Sequence, residues 1–270
     1  MGKGHVYEAK QPDANGHIHY TADEHAVWHD LIVHQRRLIH GRACQDFIDG
    51  LDRLALPDDR VPQCADVSQR LQQLTGWGVE PVPALIELDW FFDLLAHRRF
   101  PAASFIRIRE ELEYLQEPDI FHEIFGHTPM LTDPRFAAFS EAYGKAGLAA
   151  DDDTRQYLIR LYWFTVEFGL MRTPAGIRAY GAGILSSRGE TPWAVESPEP
   201  RRVPFDTLEA LRTPYRIDIM QPLYFVIDGL DTLYELARTD LRPLIDRARE
   251  LGDHPPAFPT DDQAPLSAYG

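Results

Sequence analysis

Apolar residues recur three and four positions apart through most of this chain, a period that predicts amphipathic helices. The first predicted helix begins at Thr21, where Thr21 to Glu24 form a capping-box pattern ahead of Val27, Trp28 and Leu31. Further helices are predicted at residues 43–54, 66–75, 135–147, 157–171 and 230–251, with a short one from Asp206.

Strand signals are weaker than helix signals in this sequence. Residues 215–219 and 223–227 combine β-branched and aromatic side chains and are the only convincing strand candidates. Residues 79–86 are extended and apolar between prolines, and residues 191–204 form a proline-rich loop. The pattern therefore predicts a mainly α fold with many helices and a few short strands.

The apolar positions are spread evenly, and 270 residues can bury one substantial core. We therefore predict a single domain over residues 21–252. Residues 1–20 are polar and predicted to be a flexible arm, in which His17 and His19 could hold adventitious metal, although a solvated arm is the simpler interpretation. Residues 253–270 contain four prolines and are predicted to be disordered.

Charge and cysteine content narrow the possible partners and compartments. The chain has 27 basic and 42 acidic residues, a net charge of −15, and such a surface repels the phosphates of nucleic acids. Two cysteines, Cys44 and Cys64, are too few for a disulfide framework, so we predict a cytoplasmic protein. We expect neither a signal peptide nor a membrane-spanning segment.

The strongest candidate chemistry lies in two histidines five residues apart, His122 and His127. Zinc proteases place their histidines four apart, on one face of a helix. On an ideal α-helix, residues five apart point about 140° away from each other. Both imidazoles can therefore face one metal only if the helix ends or distorts near His127, which Gly126 and Pro129 favour.

Glu167 is the predicted third ligand, because it lies in the apolar stretch that includes Trp163, Phe164 and Phe168. A buried carboxylate without a partner would cost several kcal/mol or take up a proton. A metal ion would resolve this, and so would a salt bridge to a nearby arginine such as Arg160 or Arg172. Two histidines and one carboxylate favour non-haem Fe(II), although zinc remains possible on the same ligands.

Several sequence blocks, in order, resemble the pterin-dependent aromatic amino acid hydroxylases, and among them the bacterial phenylalanine 4-hydroxylases. The blocks around the candidate ligands are EPDIFHEIFGHTPML (117–131), YWFTVEFGL (162–170) and AYGAGILSSRGE (179–190). Upstream and downstream blocks are DVSQRLQQLTGW (66–77), SFIR (104–107) and QPLYFVI (221–227). The resemblance covers about residues 20 to 240 and implies a single catalytic domain of that family's type.

The resemblance implies roles for individual residues. It makes His122, His127 and Glu167 the Fe(II) ligands. Arg107 would bind the substrate carboxylate, although the sequence alone allows a surface arginine facing Glu110 or Glu111. The remaining implied substrate and pterin residues are Trp163 against the substrate ring, Ser186 in the substrate site and on the imidazole of His122, Phe91 stacking on the pterin, Leu85 and Ile86 in the pterin loop, and Glu123 supporting the pterin.

The implied function is hydroxylation of L-phenylalanine to L-tyrosine with O2 and tetrahydrobiopterin or a related tetrahydropterin. Hydroxylation of tyrosine or tryptophan is the first alternative. A zinc hydrolase with Glu123 as general base, or a non-catalytic metal-binding protein, is less favoured. The expected partner is an aromatic amino acid, with no nucleic acid or membrane, and the chain is expected to be a monomer.

Overall fold

Helices form most of the computed structural model, which describes residues 7, 9–14, 16–113, 115 and 117–259. The α-helices in this part of the chain are α1 Ala22–Leu38, α2 Gln45–Leu54, α3 Cys64–Leu74, α4 Leu88–Ala96, α5 Pro134–Leu148, α6 Asp152–Tyr162, α7 Ala182–Leu185, α8 Glu190–Glu196, α9 Thr207–Arg212, α10 Leu230–Leu236 and α11 Arg242–Leu251. Two π-helical turns, His122–His127 and Trp163–Glu167, and two 3-10 turns, Arg109–Glu111 and Met130–Thr132, complete the helical structure.

The strands form two small sheets. Their bounds are β1 Gly78–Val82, β2 Arg99–Ala103, β3 Leu170–Thr173, β4 Gly176–Ala179, β5 Arg201–Pro204 and β6 Leu223–Ile227. β1 and β2 pair in parallel, and the other four follow the order β4-β3-β6-β5. β3 is antiparallel to β4 and parallel to β6, while β5 is also parallel to β6. The prediction of a mainly α fold with a few short strands is confirmed.

Local sequence signals position the helix ends well. Thr21 caps α1 with a capping box: its side chain accepts a hydrogen bond from the backbone of Glu24, whose side chain accepts one from the backbone of Thr21. Asp206 caps α9, because its side chain accepts a hydrogen bond from the backbone N–H of Glu209. α3 ends just before Gly76, which takes a φ of 76° that favours glycine.

Four predicted elements differ from the structure. The segment predicted to be a proline-rich loop, residues 191–204, contains most of α8 and all of β5. Residues 215–219 form no strand, because the backbone bends there. The helix predicted over 230–251 is interrupted between α10 and α11, where Asp240 accepts a hydrogen bond from the backbone of Arg242 ahead of Pro243. The helix predicted over 157–171 ends with the π-helical turn at Glu167, and Leu170 and Met171 belong instead to β3.

One hydrophobic core runs through the helices and both sheets, and it encloses the π-helical turn His122–His127. Phe121 and Phe125 stack at 4.9 Å between ring centroids on the buried side of that turn, and Trp28 of α1 meets Phe121 edge-on. Short α7 packs against the same turn, where Gly126 leaves room for Ala182. The turn is therefore held rigidly by the core.

The segment predicted to be a flexible arm contacts the domain where it is described. Ile18 is 1% exposed, and its backbone exchanges two hydrogen bonds with the Gln63 side chain. Tyr7 stacks on Phe105 at 4.3 Å. The flexibility of residues 1–20 stays a prediction, as does the domain boundary at 21.

The predicted disordered tail lies only partly within the described chain. Asp253 forms an ion pair with Arg160, and the backbone N–H of His254 bonds to the carbonyl of Arg212. Residues 260–270 lie outside the described residues. Among the helices that are described, none has the length and apolar character required to cross a membrane.

A close backbone contact between α2 and the chain after the His127 turn predicts a stability effect. A Cβ at Gly50 would lie 2.2 Å from the carbonyl oxygen of Pro129, a backbone atom that cannot move freely. We expect Gly50→Ala to lower the free energy of unfolding by about 1–3 kcal/mol, because overpacking strains a dense core. Urea denaturation of the variant measures this.

Gly229→Ala is the matched control for Gly50→Ala. A Cβ at Gly229 meets nothing within 4 Å, and its φ of 169° is extended backbone that any residue adopts. The control should unfold at the wild-type urea midpoint. Equal midpoints for both variants would contradict the close contact of α2 with Pro129.

Candidate metal centre

The two histidines face each other because the helix that carries them is a π-helix. In a π-helix each backbone N–H bonds to the carbonyl five residues back, one residue farther than in an α-helix. Residues five apart therefore lie on nearly the same face. The Nε2 atoms of His122 and His127 are 3.1 Å apart. The predicted distortion is thus present as a regular π turn. Of the two predicted possibilities, the helix distorts between His122 and His127 and does not end before it reaches His127.

Glu167 reaches the same point from a second π turn, Trp163–Glu167. Its Oε1 lies 3.2 Å from His127 Nε2, and its Oε2 lies 3.6 Å from His122 Nε2. The arginines that offered an alternative partner are engaged elsewhere: Arg160 pairs with Asp253 and Arg172 with Asp228. The three side chains predicted from sequence therefore converge.

These distances fit a single metal ion. With metal–ligand distances of about 2.1 Å, two ligands at right angles are about 3.0 Å apart and two at a tetrahedral angle about 3.4 Å. Two of the three separations, 3.1 and 3.2 Å, lie within this range, and the third, 3.6 Å, exceeds it by about 0.2 Å. The donors are two imidazole nitrogens and one carboxylate, the facial set of non-haem iron sites. The residues present therefore fit the group that the sequence predicts.

Glu123 is a rival third donor, because it also lies within 4.8 Å of both imidazoles. Its Oε2 is 3.9 Å from His127 Nε2, farther than either histidine–Glu167 contact. Burial, then the charge of Glu167, raises the pKa of Glu123 well above its usual value, which favours a neutral carboxyl group. Glu167 is the better ligand because metals bind the carboxylate form.

The pKa values of Glu167 and His122 are both lowered, but for different reasons. Burial raises the pKa of Glu167, but the adjacent His127 and His122 outweigh that effect and hold it below its usual value. Burial lowers the pKa of His122 to about 4, so its imidazole is neutral near pH 7. A carboxylate and a neutral imidazole are the protonation states that bind a metal cation.

Ser186 fixes the tautomer of His122. The Ser186 hydroxyl donates its single hydrogen to the carbonyl of Ala182 at 2.8 Å. It must therefore accept a hydrogen bond from His122 Nδ1–H, which lies 2.8 Å away. With the proton on Nδ1, the lone pair on His122 Nε2 faces His127 and Glu167, the orientation that a metal ligand needs.

Arg107 is buried and is not the surface residue that the sequence allowed. Its Nε and Nη2 atoms donate to Asp119 Oδ2 and Oδ1 at 2.8 and 2.9 Å, so neither Glu110 nor Glu111 is its partner in this pair. Burial raises the pKa of Asp119, but the Arg107 guanidinium outweighs it and lowers the pKa. The Nη1 donors lie outside this contact.

Asp119 was missed by sequence reasoning although it lies three residues before His122. Its Oδ1 also accepts a hydrogen bond from the backbone of His122 at 3.1 Å, and its Oδ2 accepts one from the backbone of Arg107 at 3.0 Å. A polar residue between Pro118 and the apolar pair 120–121 was the available signal. It shows that Asp119 begins the turn but not which side chain it binds.

A cavity of about 340 Å³ borders the converged ligands. The predicted site residues on its wall are His122, Glu167, Arg107, Trp163, Ser186 and Leu85. A larger cavity of about 400 Å³, between α5, α6 and the α10–α11 region, contains none of the predicted site residues. Size alone therefore does not identify the site, whereas the ligand geometry does.

Trp163 is held in the cavity wall by Gln221, a second residue that sequence reasoning missed. Its Nε1–H donates to Gln221 Oε1 at 3.1 Å, and its ring stacks on Tyr215 at 4.4 Å. The Gln221 amide nitrogen donates to the carbonyls of Arg216 and Ile219, which fixes its oxygen toward Trp163. Gln221 lies in the QPLYFVI block, but nothing local in that block indicates this contact.

The four residues predicted to bind a pterin line a separate cleft beside the metal ligands. They are Leu85, Ile86, Phe91 and Glu123. Phe91 is half-buried and packs edge-on against Tyr162 at 5.5 Å. His122 and Glu167 border both this cleft and the 340 Å³ cavity. A metal held by them would thus lie between two binding spaces.

Comparisons with known proteins agree with this geometry. Residues 4–246 match the family model described as biopterin-dependent aromatic amino acid hydroxylase. The phenylalanine-4-hydroxylase of Pseudomonas aeruginosa is 55% identical over 96% of this chain and 98% of its own length. The solved phenylalanine hydroxylase of Legionella pneumophila is 52% identical, with a TM-score of 0.91 over 93% of this chain and all of that one.

A solved structure of the Chromobacterium violaceum phenylalanine hydroxylase contains bound oxidised Fe(III). It is 44% identical to this chain, with a TM-score of 0.87, and the match covers 95% of this chain and 91% of that one. A relative of the same fold therefore holds iron.

The lowered pKa of His122 predicts that the metal-free protein loses stability in acid. An unfolded histidine takes up a proton near pH 6.5, at about the usual pKa. Folded His122 does so only near its pKa of about 4. Because the unfolded chain binds the proton first, this contribution is complete above about pH 6.5 and is lost as the pH falls toward 4.

The expected loss is at most about 3 kcal/mol, at about 1.4 kcal/mol per pH unit. Urea denaturation of chelator-treated protein at pH 7 and pH 4.5 measures it. His122→Asn cannot titrate at this position, so its stability should fall less over the same interval. If His122→Asn shows the same pH dependence as the wild type, groups other than His122 cause the loss of stability in acid.

Proposed function

This chain belongs to the biopterin-dependent aromatic amino acid hydroxylases, and we propose on that basis that it is a phenylalanine 4-monooxygenase. It would hydroxylate L-phenylalanine to L-tyrosine with O2 and a tetrahydropterin at a non-haem Fe(II). The observation that carries the proposal is the convergence of His122, His127 and Glu167, with ligand atoms 3.1 to 3.6 Å apart, on the wall of a 340 Å³ cavity.

His122, His127 and Glu167 are the proposed iron ligands. When iron and pterin are bound, they supply the activation of O2, which no protein side chain provides. The protein holds the three ligands on one side of the ion, so that the opposite side is open to the cavity and the cleft. Ser186 keeps the lone pair of His122 Nε2 on the metal side.

Arg107 and Trp163 are proposed to position the substrate. A guanidinium binds a carboxylate through two parallel hydrogen bonds, and the contact of Arg107 with Asp119 leaves one Nη1–H and the second Nη2–H for this purpose. Both residues line the cavity with His122. A phenylalanine with its carboxylate on Arg107 would therefore present its ring between Trp163 and the metal ligands.

Leu85, Ile86, Phe91 and Glu123 are proposed to hold the pterin in the adjacent cleft. Phe91 offers an aromatic ring for stacking, and Leu85 and Ile86 supply apolar contacts. Burial and the charge of Glu167 raise the pKa of Glu123 well above its usual value, which favours the protonated carboxyl group that could donate a hydrogen bond to a ring acceptor. This placement puts the pterin on one side of His122 and the substrate on the other.

We also propose that the protein is a cytoplasmic monomer that binds neither nucleic acid nor membranes. Cys44 and Cys64 are both free and buried, and burial raises the pKa of each thiol to about 12, so they stay protonated and unreactive. A reducing compartment suits such thiols. The net charge of −15 disfavours polyanionic partners.

The activity is tested with protein loaded with Fe(II) and supplied with tetrahydropterin and O2. We expect tyrosine from phenylalanine, and slower hydroxylation of tyrosine and tryptophan, measured by chromatography of the products. His122→Ala and Glu167→Ala should fall to the background rate because each removes a metal ligand. His97→Ala, which changes an exposed histidine on α4, should keep the full rate.

Two outcomes would count against this assignment. Turnover with zinc in place of iron, without pterin or O2, would indicate a hydrolase instead. Undiminished hydroxylation in the two ligand variants would mean that the metal lies elsewhere.

The role proposed for Ser186 predicts weaker iron binding in Ser186→Ala. Loss of the partner of Nδ1 leaves the His122 tautomer and ring orientation free, and such changes typically cost 10- to 100-fold in metal affinity. Equilibrium dialysis against Fe(II) under anaerobic conditions measures the affinity. Ser187→Ala is the control, because Ser187 also lines the cavity but bonds the backbone of Glu190. An equal loss of Fe(II) affinity in both variants would contradict a specific role of Ser186.

A further inference from the structure

A second group of metal-ligating side chains lies in the N-terminal segment, outside the site described above. Asp13, His17 and His19 each offer a ligand atom, and these atoms lie within 4.8 Å of one another. All three residues are exposed. The catalytic ligands use none of them.

A backbone turn brings Asp13 beside the histidines. The Asp13 N–H donates to the carbonyl of His17, and the Gly16 N–H donates to the carbonyl of Asp13, both at 2.9 Å. Gly16 takes a φ of 78°, which glycine adopts without strain. The Asp13 Oδ1 atom also accepts the backbone N–H of His17 at 3.0 Å, so the carboxylate is oriented by the turn itself.

Ile18 places both imidazoles on the same side. Ile18 is buried whereas His17 and His19 on either side of it are exposed, so both imidazoles lie on the solvent side of the chain. The backbone of Ile18 is fixed by two hydrogen bonds to Gln63. His17 and His19 consequently project together into solvent, with ring centroids 5.1 Å apart.

Charge favours a cation at this point. His19 Nε2 lies 3.3 Å from Asp13 Oδ2, so the carboxylate already faces one imidazole. The nearby ammonium of Lys10 donates to the carbonyl of His19 at 3.3 Å, but it also pairs with Glu24 at 2.9 Å, which offsets its charge. The group thus combines one carboxylate and two imidazoles, and the charge of the nearby Lys10 is offset by Glu24.

We propose that Asp13, His17 and His19 form a second metal site, which binds a divalent first-row transition ion such as Zn²⁺. Two imidazoles and one carboxylate suit zinc, copper and nickel, and they do not suit magnesium or calcium, which prefer oxygen ligands. Water completes the coordination because the site is open to solvent. The site is independent of the hydroxylase activity proposed above.

Calorimetric titration with zinc chloride tests the site in the metal-free full chain. The wild type should bind two ions. His17→Ala/His19→Ala should bind one, at the catalytic centre, and His122→Ala/His127→Ala should bind one, at the N-terminal site. The variant with all four substitutions should bind none. A wild type that binds a single ion, or an unchanged two-ion stoichiometry in His17→Ala/His19→Ala, would overturn the proposal.

His97→Ala is the matched control. His97 is exposed and lies 3.3 Å from the Asp93 carboxylate, the same distance as His19 from Asp13, but it has no second histidine in its pair. This variant should keep two ions, and loss of one would show that any exposed histidine–aspartate pair suffices. His17→Ala/His19→Ala should also keep the iron-dependent activity, which verifies that it is folded. The conservative variant His19→Gln, titrated in parallel, should likewise bind one ion.

Discussion

The structure depends on a helix that hydrogen-bonds five residues back instead of four. Two separate π turns occur in the described chain, and each contributes to the same point: one carries His122 and His127, and the other ends at Glu167. An α-helix with the same sequence would turn His127 about 140° away from His122. The π geometry is rarely stable by itself. It persists here because Phe121, Phe125 and α7 pack tightly around the first turn.

That packing places two carboxyl groups, those of Glu123 and Glu167, close together and away from solvent, an arrangement that a bound cation would stabilise. Glu167 is buried and Glu123 is largely shielded from solvent beside the two imidazoles, and the ring of Phe100 packs against His127. Without metal, one carboxyl group is driven toward its neutral form and the other depends on its histidine neighbours. A divalent ion balances the charge of the Glu167 carboxylate and gains ligands that are already in place. Binding free energy of this kind also stabilises the folded chain.

The sequence was sufficient for the helices and for the identity of the converging side chains, because these follow from local signals. Capping at Thr21 and the spacing of apolar residues located α1, and the five-residue spacing indicated a distorted helix. β3 and β4 form a hairpin, but each has only four residues, too few to show the alternation that identifies a strand. β1 was predicted only as an extended segment. The strands β2 and β5 were missed because their pairing partners are distant in sequence. The salt bridge of Arg107 with Asp119 and the contact of Gln221 with Trp163 were missed for the same reason. Neither residue alone identifies its partner.

Asp119 shows why those missed contacts matter for the proposed chemistry. One carboxylate binds the Arg107 side chain, the Arg107 backbone and the backbone of His122. Asp119 therefore holds both Arg107, the proposed partner of the substrate carboxylate, and His122, a proposed metal ligand. A shift of Arg107 on binding substrate would pull on the start of the π turn through hydrogen bonds of about 3 Å. Because Arg107 and Asp119 are both buried, the fold would set the distance between the proposed substrate and metal positions before either binds.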